Sequence, residues 1–138
     1  MAIRKSIIGM LTGTLMMSLC VIPAFATSSK STSVDGYTLY KYLNRGTSSA
    51  TAITQYPYGS NSWISSIKYV TVTITCKNGN TNKTVTESAT AVTNQAYDSK
   101  KATAVAKRPS TAYTITDAKS THKLTMVGAT KDSDVLTD

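Results

Sequence analysis

The stretch YVTVTITC, residues 69–76, decides the fold class. Val70, Val72, Ile74 and Cys76 alternate with Thr71, Thr73 and Thr75, a period of two. Successive side chains of an extended strand point to opposite faces, so the pattern describes a strand with one apolar and one hydroxyl face. Threonine is the polar residue that pleated surfaces tolerate best. The alternation gives Cys76 an inward position beside Ile74.

Asn78-Gly79 follows at once and is a hairpin signal, because both residues accept positive φ. The return strand is expected near Thr81–Ala89. Its main apolar residue, Val85, shares the face of Val72 and Ile74 only if the loop holds an even number of residues, Asn78 and Gly79 among them. A second hairpin is expected further on. Tyr113 and Ile115 alternate with threonines, Asp117-Ala118-Lys119-Ser120 reads as a polar turn, and His122, Leu124 and Met126 form the returning face. Toward the N-terminus, Gly36–Leu43 reads as a tyrosine-rich strand, with Asn44–Ser49 and Gln55–Ser62 as loops.

Ala-Thr-Ala followed by a β-branched residue occurs at Ala50–Ile53, Ala89–Val92 and Ala102–Val105. The unequal spacing excludes a solenoid or propeller period. As strands, all three put alanine on one face, where a second layer can approach closely. The third competes with a short helix running from an Asp98-Ser99 cap to Lys107. Alanines give a helix little to anchor it, so strand is preferred. Six or seven short strands with turn signals between them predict an all-β protein, a small antiparallel β-sandwich.

Arg4 and Lys5 precede the uncharged run Ser6–Val21, and Pro23-Ala24-Phe25-Ala26 supplies a small-x-small cleavage site. These are the three parts of a secretory signal peptide. Residues 1–26 are expected to be removed after Ala26 and the remainder secreted, with no stable membrane span. That remainder suffices for one modest domain. The domain is expected at 36–128, after a flexible Ser/Thr-rich lead-in at 27–35 and before a polar, mobile tail at 129–138. The chain holds 15 Lys and Arg against 7 Asp and Glu, a net charge of +8. Asp132, Asp134 and Asp138 fall in the tail, which leaves the body still more basic. Cys20 departs with the signal, so Cys76 has no intramolecular partner. No disulfide is expected, and stability must come from the core.

Catalysis needs a tuned titratable group, an activated nucleophile or a metal. His122 lies on an apolar strand face, where a hydrogen-bonded core histidine is the simpler reading. Glu87 has no second carboxylate nearby, and a buried Cys76 stays protonated and inert. Metal-ligand spacings and a glycine-rich phosphate cradle are missing. The reading is a non-enzymatic protein with no catalytic residues, metal or cofactor.

Two surfaces are candidates for binding. QYPYGSNSWISS, residues 55–66, gathers Tyr56, Tyr58 and Trp63 among Pro, Gly, Asn and Ser. Such rings offer flat apolar area with a polar rim, although Trp63 also fits an end plug of the core. Lys100, Lys101, Lys107 and Arg108 form a basic cluster suited to anionic envelopes. The expected partner is an envelope polymer, a glycan or an extracellular protein. Nucleic acid does not fit an exported chain without aromatics among its basic residues.

With its PAFA signal end and Ser/Thr-rich strands, the chain resembles the small exported proteins of Gram-positive bacteria. In size and charge it is similar to their cationic β-sandwich bacteriocins. The first reading is a secreted binding protein acting at the bacterial envelope or in the extracellular milieu. A bacteriocin- or toxin-like action on competitor cells is the alternative, and a self-assembling surface subunit the third.

Overall fold

The computed structural model describes residues 26–56, 66–93, 101–126 and 129–138. The segment expected to be a signal peptide, residues 1–26, lies almost wholly outside the described residues. Those described form eight strands and no helix: β1 (Ala26–Val34), β2 (Tyr37–Arg45), β3 (Ser49–Gln55), β4 (Ser66–Asn78), β5 (Thr84–Thr93), β6 (Lys101–Lys107), β7 (Tyr113–Met126) and β8 (Ala129–Thr137). They make two antiparallel sheets, ordered β1-β2-β3-β6 and β5-β4-β7-β8. The sheets face each other as a sandwich.

YVTVTITC is the middle of β4, with Val70, Val72, Ile74 and Cys76 fully buried and the threonines half-buried on the outer face. The inner face meets Ala50 and Ala52 of β3 and Ala102, Ala104 and Ala106 of β6 in one core cluster. Ala50 pairs with Ala106 and Ala52 with Ala104, so the alanines form a contiguous flat patch. Small side chains on one sheet leave room for the larger ones facing them on the other. The Ala-Thr-Ala repeats are therefore architectural, and the third is strand.

Lys77 pairs with Thr84, and the Asn78 amide donates to the Lys83 carbonyl at 2.8 Å. The loop proper is Gly79–Asn82, an even count, which sets Val85 opposite Cys76 on the core side. Asn78 stays outside the loop as the last strand residue. Its Oδ1 accepts from the amides of Asn80 and Thr81 and shapes the turn.

Four expectations need correction. First, the second hairpin does not exist: residues 113–126 are one strand, β7, paired along β4. Cys76 pairs with Ile115 but Thr75 with Asp117, leaving Thr116 as an extra residue, a β-bulge. The bulge moves the buried positions from odd (Ile115) to even (Ala118, Ser120, His122), the same parity change a hairpin produces.

Second, residues 27–35 are no flexible lead-in. They belong to β1, folded back on β2 by an Asp35-Gly36 turn with φ of 48° and 82°. Positive φ at both centres is the type I′ geometry that hairpins favour.

Third, residues 129–137 form β8, with Leu136 in the core, instead of a mobile tail. Fourth, the supposed loop at Asn44–Ser49 shrinks to a tight turn, with Asn44, Arg45 and Ser49 in strands. Gln55 likewise ends β3.

Candidate functional site

The interior holds two apolar clusters. One surrounds the alanine patch; the other joins Val34, Leu39, Tyr56, Leu124 and Met126. Between them runs a buried polar belt that the sequence reading missed. Lys41 points inward from β2 with its side chain wholly shielded. Its Nζ donates to Asp132 at 2.7 Å, Asp134 at 3.1 Å and Thr32 Oγ1 at 3.0 Å. Three donors meet three acceptors, so the ammonium is satisfied. Lys30 adds a second cation to Asp134. Lys30 foremost, opposed by burial and then helped by Lys41, holds the Asp134 carboxyl down to about 2.

His122 completes the belt. Its Nδ1 lies 2.9 Å from Thr54 Oγ1 and its Nε2 2.7 Å from Ser120 Oγ. The Thr54 hydroxyl proton is already committed to the Tyr69 carbonyl at 3.0 Å. Nδ1 must therefore carry the ring proton and donate, while Nε2 accepts from Ser120. Burial first, then the charge of Lys41, pushes the imidazole down to about 4. It is neutral at physiological pH, as a hydrogen-bonded core histidine. Cys76 faces Ile115 and His122 faces Val70, six residues apart along β4. At about 3.3 Å per residue they stand roughly 20 Å apart, so no thiol–imidazole dyad forms. Burial also pushes the thiol up, away from reactivity.

The third acid, just past β8, is consumed as well. Asp138 pairs with Arg45 at 2.6 Å, and Arg45 also donates to the Thr116 carbonyl freed at the bulge, at 2.9 Å. The expectation that Asp132, Asp134 and Asp138 ride on a solvated tail is corrected. They neutralise cations within and at the rim of the sandwich.

The aromatic candidates fare differently. Tyr56 is 1% exposed and cannot present a ring to a ligand, which corrects its assignment as a contact residue. It packs edge-on against Tyr37 at 6.3 Å and donates its hydroxyl to the Val34 carbonyl at 2.9 Å. Tyr58 and Trp63 lie outside the described residues. On β2, Tyr40 and the buried Tyr42 stack with ring planes 8° apart.

The described members of the basic cluster do not form one patch. Lys101 and Lys107 are exposed at opposite ends of β6. Arg108 is half-buried and donates to the Tyr113 carbonyl at 3.0 Å, a structural task. Lys100 lies outside the described residues. What emerges instead is a dispersed basic surface. Lys77, Lys83, Lys101, Lys107, Lys119 and Lys123 are exposed, and none has an acid within ion-pair distance among the described residues. Gly79 bonds to Ala112 and Arg108 to Ser48 through their backbones, so the hairpin carrying Lys77 and Lys83 and the end of β6 carrying Lys107 share one end of the sandwich.

One buried cation is poorly served. Lys68 is 1% exposed and, among the described residues, donates only to the Ser66 carbonyl at a long 3.4 Å, while Ser66 Oγ is buried without a partner among them. Burial lowers the Lys68 ammonium. A desolvated charge without an opposite charge costs more than an apolar group of similar shape. Lys68→Met should therefore raise stability by about 1 kcal/mol or more. Urea midpoints of the two proteins check this, and a lower midpoint for the variant would show that the ammonium has a use.

Comparison with protein-family models, with curated proteins and with solved structures finds no match to this chain.

Proposed function

We propose that this is an exported, non-enzymatic β-sandwich that binds an anionic polymer of the cell envelope through its lysine-rich surface. The observation that carries the reading is the division of charge. Asp132, Asp134 and Asp138 are spent on Lys41, Lys30 and Arg45, while six exposed lysines stand without acids among the described residues. Uncompensated positive charge over a small rigid body attracts polyanions and raises their association rate. Lys77, Lys83 and Lys107 supply the densest part of it.

The test is titration of the full chain with poly(glycerol phosphate) and with a neutral glucan of similar length, over a range of salt. The polyanion should bind and the glucan should not. Affinity should fall as salt rises, since screening shortens the reach of exposed charges to about 8 Å at physiological ionic strength. Changing Lys77, Lys83 and Lys107 together to Gln should weaken binding roughly tenfold, at about 0.5 kcal/mol per exposed contact. Binding that ignores both salt and these substitutions would rule the reading out.

One observation favours a second reading, assembly of copies through sheet edges. β5 ends its sheet over ten residues without Lys or Pro, and its Val92 is 56% exposed. Natural edge strands usually carry such residues to block pairing with another chain. A sedimentation coefficient that rises with concentration and falls on Val92→Lys would support it.

A further inference from the structure

We propose that Lys41 and Asp132 condense into an amide that joins β2 to β8 across the two sheets. The reacting groups are already in place. Lys41 Nζ, shielded from solvent, sits 2.7 Å from an Asp132 carboxylate oxygen. Asp134, two residues along β8 on the same inner face, lies 3.1 Å from the same nitrogen, and Thr32 Oγ1 fixes the third donor direction at 3.0 Å.

The two carboxylates are not equivalent. Asp134 is shared with Lys30 and stays ionised, so it remains the counter-charge beside the nitrogen as positive charge develops there. Asp132 has Lys41 as its one cation among the described residues, and is the acceptor. Proton transfer along the short contact converts the ion pair into an amine and a carboxylic acid. The nitrogen lone pair attacks Cγ of Asp132, forming the C–N bond. Asp134 stabilises the positive charge on the attacking nitrogen, and the nitrogen proton passes to the departing hydroxyl. The C–O bond breaks, one water leaves, and both charges are gone. No oxidant, activating group or metal enters the balance.

Two physical terms favour the product. Holding amine and acyl carbon together supplies an effective molarity of order 10⁵ M or more. Burial penalises the separated charges and leaves the neutral amide untouched. The bond also meets a need legible in the chain: Cys76 is the only cysteine described, so a disulfide cannot brace β8, the edge strand of its sheet.

The test is the mass of the purified, denatured full chain. The cross-linked protein is lighter by one water than the sequence requires for its N-terminus. Trypsin should fail to cut after Lys41 and should release residues 31–45 joined to residues 132–138. Asp132→Ala should restore the full mass, and Asp134→Asn should slow loss of water at least tenfold while leaving Asp132 in place. A wild-type chain of full mass, cut after Lys41, overturns the proposal whatever the variants do. Asp134→Asn reacting at the wild-type rate overturns the role given to Asp134.

Discussion

Tyr56→Ala should destabilise the fold by about 3–5 kcal/mol, the range for deleting a large buried aromatic. Against a total of about 5–15 kcal/mol for an ordinary domain, that is roughly a fifth of the stability or more. The ring fills the second apolar cluster beside Leu39 and Leu124, and no solvent can replace it. Tyr56→Phe keeps the ring but leaves the Val34 carbonyl without its donor, and should cost about 1 kcal/mol. Urea unfolding of the three proteins gives the ranking directly. A Tyr56→Ala protein of unchanged midpoint but weakened ligand binding would place the ring on the surface, against the packing described.

Acid should remove a comparable amount of stability through His122. Its folded pKa of about 4 lies below the 6.5 of an unperturbed histidine, so the unfolded chain binds the proton first. The contribution is whole above about pH 6.5, declines as pH falls, and levels off below about 4. A difference of about 2.5 units corresponds to roughly 3 kcal/mol across that window. Burial, the larger cause, persists even if Lys41 loses its charge to an amide. Asp134, depressed to about 2, adds a further loss at lower pH still, as the carboxylate protonates and leaves Lys30 and Lys41 without it. Replacing His122 by Gln should flatten stability between pH 6.5 and 4, at some cost in absolute stability. Equilibrium unfolding at half-unit steps of pH measures both curves. Parallel curves for the two proteins would show that the imidazole titrates freely.

Much of the fold was legible because the relevant signals are local. Strict alternation at residues 69–76, the even-numbered turn after Asn78 and the alanine faces each follow from signals within one segment. The misreadings share one cause: partners distant in sequence. An extra residue at Thr116 shifts parity as a turn would, and only the register with β4 distinguishes the two. Residues 129–138 look like a solvated tail because Asp132 and Asp134 are charged, yet Lys41, some 90 positions earlier, makes their burial affordable. Lys41 itself sat in a strand whose faces were poorly sorted, since Leu39, Lys41 and Leu43 all point inward. The lead-in, by contrast, carried an unused signal in Asp35-Gly36. Tyrosine suits interfaces, which points Tyr56 to a surface, but its neighbour Gln55 ends a strand and the alternation turns Tyr56 inward.

The account turns on β8. If residues 129–137 are a strand of the sandwich, three acids are spent on Lys41, Lys30 and Arg45, the lysines stand uncompensated, and Lys41 meets its carboxylates. Hydrogen exchange of the native protein, resolved to residues 129–138, tests this most directly. The amides of β8 that face β7 should exchange slowly, near the global unfolding rate shared by β4. Exchange of this whole segment at the rate of unfolded chain would leave Lys41 and Arg45 without their acids, and would contradict the charge division and the cross-link together.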